Sequence, residues 1–151
     1  MGQQTSEVVI TKSVSVAAPV EHAFRVFTEE IHTWWPRHTH AVDPEHAETV
    51  VLERREGGRL FERTSSGEEH VWGIVLVWDP PHRLGYSWYP GRGEETAQEV
   101  EITFAPEGDG TRVDLRHWGW EKLGDQMEQA VADYDKGWDI VIGHFVEKAN
   151  A

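Results

Sequence analysis

The sequence contains no cysteine, few basic residues and no long apolar run. The absence of Cys from its 151 residues excludes disulfide bonds, a thiolate nucleophile and any Cys-ligated zinc or iron–sulfur site. Only 14 Lys and Arg stand against 27 Asp and Glu, which gives a formal net charge of −13. This charge disfavours binding to nucleic-acid phosphates and to anionic membranes. No stretch approaches the roughly 20 apolar residues that span a bilayer.

The start of the sequence shows no pattern typical of a targeting segment. Its first seven residues are polar and lack both a basic start and an apolar run. We therefore expect a cytoplasmic protein with no nucleic-acid partner and no membrane partner. The length predicts one domain over residues 1–151, with its core at about residues 8–148.

Tryptophan is the residue type that is unusually abundant. The chain has eight Trp, and 38% of its residues are hydrophobic. Disordered chains lack large apolar side chains to bury, so this composition predicts a well-filled folded core.

The pattern of apolar residues predicts one strand, two short helices and then six more strands. Alternation indicates a strand over residues 8–16, and helical spacing indicates helices over 20–27 and 29–35. Pro19 fits a helix start, and Pro36 ends the second helix. The later strands are predicted at 49–54, 59–64, 69–78, 83–89, 99–105 and 112–118. Their connections are too short for parallel crossovers, so the strands should be antiparallel.

The last third of the chain has the spacing of a long amphipathic helix. Its apolar stripe consists of Met127, Ala130, Val131, Tyr134, Trp138, Val141, Ile142 and Phe145. Gly137 interrupts the helix at a cost of about 1 kcal/mol relative to Ala, which suggests close packing or a bend. The element order predicts an α+β protein in which an antiparallel sheet is covered by this helix, with a gap between them.

Several short motifs, taken in order, resemble a known superfamily. They are the run from Val16 to Phe24 after the first strand, Trp34-Trp35-Pro36, Gly57-Gly58-Arg59-Leu60, the run from Trp72-Gly73 to Leu84, Tyr86-Ser87-Trp88, Gly110-Thr111-Arg112-Val113 before His117, and Gly137-Trp138. Over nearly the whole chain the sequence resembles the START-like (SRPBCC) superfamily, and within it proteins similar to the C-terminal domain of the activator of the heat-shock-protein ATPase. The resemblance implies the helix-grip fold: a curved seven-stranded antiparallel sheet around a long C-terminal α-helix, two short helices after the first strand, and an internal cavity.

The superfamily includes carriers of apolar ligands, cyclase-like enzymes and partner-binding domains. Our main hypothesis is therefore a protein that binds a small apolar or aromatic molecule in the cavity between sheet and helix. The first alternative is a cyclase- or hydrolase-like enzyme that uses acid–base groups. The second is a protein-interaction or co-chaperone-like module, including a homodimer. No cofactor is predicted.

Alternation within the strands predicts which side chains face the cavity. Residues 99–105 and 112–118 each have one clearly apolar face, and His117 is a polar group on such a face. Both faces of residues 69–78 are apolar, so the face that lines the cavity stays open. The predicted ligand-binding residues are Trp34, Glu62, His70, Trp72, Tyr86, Trp88, His117, Trp138 and Val141. The tryptophans and His117 fit an ordinary core equally well, and Glu62 equally fits an exposed strand end near a turn.

Three further patterns contain residue types that can carry chemistry. Glu62, His70 and His117 would form an acid–base group if the fold brought them together, although their spacing does not require it. The loop over residues 37–48 contains His38, His40, Asp43, Glu45 and His46, but no motif makes three or four of them converge. We therefore predict no metal site. Trp118-Gly119-Trp120 would either cover the cavity mouth or form an exposed patch.

Overall fold

The computed structural model describes residues 8–151. Its strands are β1 Ile10–Val16, β2 Ala47–Leu52, β3 Arg59–Thr64, β4 Glu69–Asp79, β5 Arg83–Trp88, β6 Gln98–Glu107 and β7 Gly110–Trp118. Its helices are α1 Val20–Thr28, α2 Ile31–Trp34 and α3 Met127–Ala149, with 3₁₀ segments at Glu94–Thr96 and Trp120–Gln126.

The strands form one curved antiparallel sheet in the order β1-β7-β6-β5-β4-β3-β2. Because β1 pairs with β7, the first and last strands of the chain lie side by side at one edge. Helices α1 and α3 pack on the inner face of the sheet, where the Phe27 ring lies 5.9 Å from Phe104 and 5.1 Å from Phe145. The predicted helix-grip fold is confirmed.

Most element boundaries agree with the sequence, and the differences have local causes. Helix α2 is a single turn, shorter than predicted, because Glu30 leaves the helical region (φ −104°, ψ 19°) before it starts. Strands β6 and β7 extend beyond their apolar residues as far as the pair Glu107 and Gly110. The backbone ladder thus continues through polar residues that hydropathy does not mark as strand.

Strand β4 has no single inner face, because two irregularities interrupt its alternation. Opposite β3, the pairing steps from Gly73 to Val71 and leaves Trp72 as the extra residue. Opposite β5, it steps from Val75 to Val77 and leaves Leu76 unpaired. Such bulges reset which side chains point inward. Trp72 and Val75 are therefore both buried, although simple alternation assigns them to opposite faces.

Helix α3 presents the predicted apolar stripe to the sheet. Ala130, Trp138, Val141, Ile142 and Phe145 are buried on it. A Cβ built on Gly137 would contact only the His40 ring, at 3.8 Å. Among residues 8–151, no helix combines the length and the apolar character needed to cross a bilayer.

Candidate ligand-binding site

A pocket of about 580 Å³ lies between the sheet, α3 and the loop that follows α2. The loop contributes Trp35 and residues 39–42, and α3 contributes four residues between Asp133 and Trp138 together with Val141. Trp72 on β4, Trp88 on β5 and the turn after β5 complete the lining. The pocket is therefore built from the elements that the helix-grip fold brings to one end of the sheet.

Four tryptophans form the apolar wall of this pocket. The Trp35 ring centroid lies 4.9 Å from that of Trp72, and Trp88 lies 5.7 Å from Trp72 and 5.4 Å from Trp138. The rings are tilted or edge-on to one another, as aromatic pairs prefer. The four indoles support each other and are nearly fully buried, so only a small part of each ring faces the pocket.

The polar side chains among the lining residues are Thr39, His40, Asp133 and Tyr134. His40 is held by its loop: its carbonyl accepts a hydrogen bond from the Trp35 indole N–H at 2.7 Å, and its Nδ1 lies 2.7 Å from the Thr39 hydroxyl. Partial burial lowers the pKa of His40, and the nearby His144 lowers it further. A neutral imidazole therefore faces the pocket at pH 7.

Tyr134 and Trp88 supply further polar groups beside the apolar wall. Burial raises the pKa of the Tyr134 phenol, so the hydroxyl stays protonated at neutral pH. The nearby Trp88 N–H partly offsets this rise in the pKa of Tyr134. The N–H group and the hydroxyl nevertheless do not have the geometry of a hydrogen bond. The buried Trp88 Nε1 consequently has no partner among the described residues.

Glu62 attaches the pocket loop to the sheet. Its carboxylate is fully buried and accepts hydrogen bonds from the backbone N–H of Val42 (2.6 Å) and Asp43 (2.9 Å). A third bond comes from the Trp72 indole at 2.7 Å. Charge-assisted bonds of this kind are the stronger ones. One side chain thus positions both the loop and a tryptophan of the wall.

His117 lies behind the wall and holds Trp138. Its Nδ1 accepts the Trp138 indole N–H at 3.0 Å, and its Nε2 lies 3.1 Å from Gln98 Oε1. Gln98 donates its amide to the Thr96 carbonyl, so Nε2 of His117 carries the proton. Burial lowers the pKa of His117 to about 3. The imidazole is therefore a neutral structural link.

Residues 17–148 match the family described as Activator of Hsp90 ATPase homolog 1-like protein. This chain belongs to that family. Most of the sheet, the pocket and nearly all of α3 lie within the matched residues.

Solved structures similar to this chain have names that differ widely. The anthrahydroquino-γ-pyrone synthase Txn09, solved in complex with SUM, is 34% identical, with 93% of this chain and 97% of that chain covered and a TM-score of 0.63. The self-sacrificing resistance protein CalC from Micromonospora echinospora is 28% identical, covers 95% and 94%, and has a TM-score of 0.70.

A third structure shares the fold alone. The Aha1 dimer from Colwellia psychrerythraea is 14% identical, with 95% of this chain and 96% of that chain covered and a TM-score of 0.69. No protein of curated function matches this family member significantly.

The structure brings four of the nine predicted ligand-binding residues to the pocket: Trp72, Trp88, Trp138 and Val141. The other five, Trp34, Glu62, His70, Tyr86 and His117, lie outside its lining. Trp34 is part of the core, where its indole donates to the Val26 carbonyl at 2.8 Å. Tyr86 is buried next to Trp88, with 5.9 Å between ring centroids. A role of any of the nine in binding stays a prediction.

The three side chains weighed as an acid–base group do not hydrogen-bond to one another. Glu62 and His70 are paired across β3 and β4, but the Glu62 carboxylate is occupied by the loop and Trp72. His117 is occupied by Gln98 and Trp138. This arrangement supports the fold, and none of the three side chains lines the pocket.

The loop histidines and the Trp118-Gly119-Trp120 segment lie in different parts of the structure. Of the loop histidines, His40 lines the pocket, His46 contacts the Asp43 carboxylate at 3.0 Å, and His38 lies 3.4 Å from the Pro44 carbonyl. Trp120 does not form an exposed patch, because it is buried and stacks on His117 at 4.0 Å. Trp118 is half-buried, with the Arg116 guanidinium 5.2 Å from its ring.

Sequence reasoning missed most of the pocket lining. The residues not predicted are Trp35, Thr39, His40, Ala41, Val42, Pro90, Gly91, Asp133, Tyr134 and Gly137. Tyr134 lies one helical turn before Trp138 and two turns before Val141, so the helix period could have identified it. The loop residues have no period, and their position follows from contacts such as those of Glu62 with the backbone of Val42 and Asp43.

Proposed function

We propose that this chain binds a small apolar or aromatic molecule in the pocket between the sheet and α3. The observation that carries the proposal is the pocket of about 580 Å³ with a wall of four tryptophans. Ligand pockets commonly have volumes of about 300–1,000 Å³, apolar walls and a few polar groups that orient the ligand.

The combination of a tryptophan wall with a few polar side chains favours a flat molecule that carries oxygen atoms at one edge. Its rings would contact the parts of Trp35, Trp88 and Trp138 that line the pocket, and contacts between aromatic groups are favourable. The neutral His40 and the protonated Tyr134 would donate or accept hydrogen bonds at the edge. The similarity to Txn09 supports this class, since that synthase is named for an anthrahydroquinone-type pyrone.

Binding can be measured by tryptophan fluorescence and thermal shift with a dihydroxyanthraquinone, using decanoic acid as an aliphatic comparison. We expect the aromatic probe to quench fluorescence and to raise the melting temperature as its concentration exceeds its Kd. Absence of both responses to the aromatic probe would contradict the proposal.

Two glycines of α3 give a matched pair of variants. Gly137 lines the pocket, whereas a Cβ on Gly143 would meet nothing within 4 Å. Gly137→Leu should fill the pocket and weaken binding by about tenfold or more, a change of about 1.4 kcal/mol. Gly143→Leu makes the same chemical change at an open site and should leave the Kd within about twofold. Equal binding by both variants would place the ligand elsewhere.

Catalysis on the bound molecule is the second candidate, and the position of His40 favours it. A neutral imidazole at the edge of an apolar pocket is suited to general-base chemistry. If the probe is converted, His40→Asn should lower turnover by about 100-fold or more while changing the Kd by less than about threefold. An unchanged turnover would assign His40 to binding alone.

The protein-interaction alternative and the homodimer stay predictions, as does a cytoplasmic location. Sedimentation equilibrium of the untagged chain tests the dimer, since it yields the molecular mass directly. A mass of 17.3 kDa at all concentrations would contradict the dimer.

A further inference from the structure

A second group of side chains, outside the pocket, brings together donors that bind divalent cations. Asp43 from the pocket loop, Glu68 from the turn between β3 and β4, and His70 on β4 each place a ligand atom within 4.8 Å of the other two. Glu68 and His70 are two residues apart on the β3–β4 hairpin, and the fold brings Asp43 of the pocket loop to them.

The geometry at His70 matches that of metal ligands better than that of a hydrogen bond. His70 Nε2 lies 3.3 Å from Glu68 Oε1. It is shielded from solvent and has no hydrogen-bond partner among the described residues. Two donors on a tetrahedral zinc ion, with bonds of about 2.1 Å, are about 3.4 Å apart. A cation between them would satisfy the buried nitrogen.

Asp43 is oriented toward this group by contacts of its own. Its backbone N–H donates to Glu62 Oε2 at 2.9 Å. Its carboxylate is contacted by His46 Nδ1 at 3.0 Å. Contacts of this kind around a metal ligand fix its direction and raise affinity. Asp43 is therefore held in place before any ion binds.

We propose that Asp43, Glu68 and His70 bind one transition-metal dication, with Zn²⁺ as the ion that best fits one imidazole and two carboxylates. The histidine disfavours Mg²⁺ and Ca²⁺, which prefer oxygen donors. The sequence predicts no metal site within the loop over residues 37–48, whereas two of these three ligands lie on the β3–β4 hairpin. Bound metal would tie the pocket loop to that hairpin.

Isothermal titration of ZnCl₂ into the untagged, chelator-treated full chain tests the site, with MgCl₂ as the comparison. We expect one Zn²⁺ per chain with a Kd below about 10 µM, and no measurable Mg²⁺ binding. Thermal melts with and without Zn²⁺ give an independent readout, since an ion that joins loop and hairpin should raise the melting temperature.

Three variants assign the ligands: Asp43→Asn, Glu68→Gln and His70→Gln. Each should weaken Zn²⁺ binding by about tenfold or more. Glu68 is exposed, so its variant retains the fold even if another does not. The control is His82→Gln, an exposed histidine in the turn after β4, which should change the Kd by less than about twofold.

No Zn²⁺ binding at about 100 µM would overturn the proposal, and so would wild-type affinity in Glu68→Gln and His70→Gln. The site is separate from the pocket lining, so this outcome can be told apart from a failure of aromatic-ligand binding.

Discussion

At the residue scale, His117 and Glu62 are polar groups with no measurable exposure, and each is compensated in a different way. His117 is neutral, donates one hydrogen bond to Gln98 and accepts one from Trp138. Glu62 accepts three N–H groups from the loop and from Trp72. Because buried polar groups cost free energy unless they are paired, both residues should be sensitive to a change in their donors or acceptors.

Acidification should destabilise the protein through His117. Its pKa is about 3 in the folded chain and about 6.5 when unfolded. Above pH 6.5 neither state binds the proton, so the stability is fully present. Below pH 6.5 only the unfolded chain takes it up, so stability falls by about 1.4 kcal/mol per pH unit until pH 3. Urea unfolding between pH 4 and 7 measures this slope.

Carboxylates also titrate at the acidic end of this pH range. The contribution of His117 is therefore separated from theirs by comparing variants. His117→Gln should have a shallower slope than the wild type, whereas the exposed His82→Gln should retain it. If His117→Gln does not fold, NMR of the wild-type ring gives the same information. A His117 resonance that titrates between pH 5 and 7 would contradict the prediction. The nearest other titratable ring is that of Tyr134, whose centroid lies 5.5 Å from the centroid of the His117 ring.

Replacing Glu62 by Gln should destabilise the fold. The amide keeps one acceptor oxygen but turns an NH₂ group toward an N–H donor, so at least one buried partner loses its bond. The expected cost is about 2–3 kcal/mol. Urea unfolding measures it, with Glu45→Gln as the control, since Glu45 is exposed in the same loop. Equal midpoints for the two variants would contradict the role assigned to Glu62.

At the element scale, the helix and the strands were predictable to different degrees. The period of α3 predicted both its extent and its buried face, because its apolar residues recur without interruption from Met127 to Phe145. The inner face of β4 was not predictable. Alternation is a reliable guide only while the ladder is regular, and the extra residues at Trp72 and Leu76 reset it twice.

The two glycines of α3 should both be replaceable by Ala with a gain in stability. Neither has a positive φ, and a Cβ would be in ordinary contact at Gly137 and free at Gly143. Ala gains up to about 1 kcal/mol in a helix relative to Gly. Thermal or urea unfolding should give similar increases for both variants. Destabilisation by Gly137→Ala alone would show that the contact with His40 tolerates no methyl group.

At the scale of the whole molecule, the fold was predictable and most of the site was not. Seven strand patterns and one long amphipathic helix allow few arrangements, and the family match extends over residues 17–148. The loop that carries Trp35 and His40 has no periodicity. Its position depends on the distant Glu62 side chain, whose partners are backbone groups that no sequence pattern marks.

The net charge predicts how salt affects the folded chain. At pH 7 the charge of −13 makes the compact state repel itself. Raising NaCl from about 0.01 M to about 0.15 M shortens the screening length from about 30 Å to about 8 Å. Salt also weakens exposed ion pairs such as Arg59–Glu53 and Arg63–Glu69, but such pairs contribute little. Relief of repulsion should dominate and raise the melting temperature by about 2–4 °C, equivalent to about 1 kcal/mol.

The same salt series near pH 5.0, the isoelectric point, provides the control. There the acidic and basic groups balance, so net repulsion is absent and salt should have almost no effect. A melting temperature that falls with salt at pH 7 would mean that the ion pairs outweigh the repulsion. An equal rise at both pH values would point to stronger apolar burial in salt, which does not depend on net charge. The difference between the two pH values therefore measures what the excess of 27 acidic over 14 basic residues costs the fold.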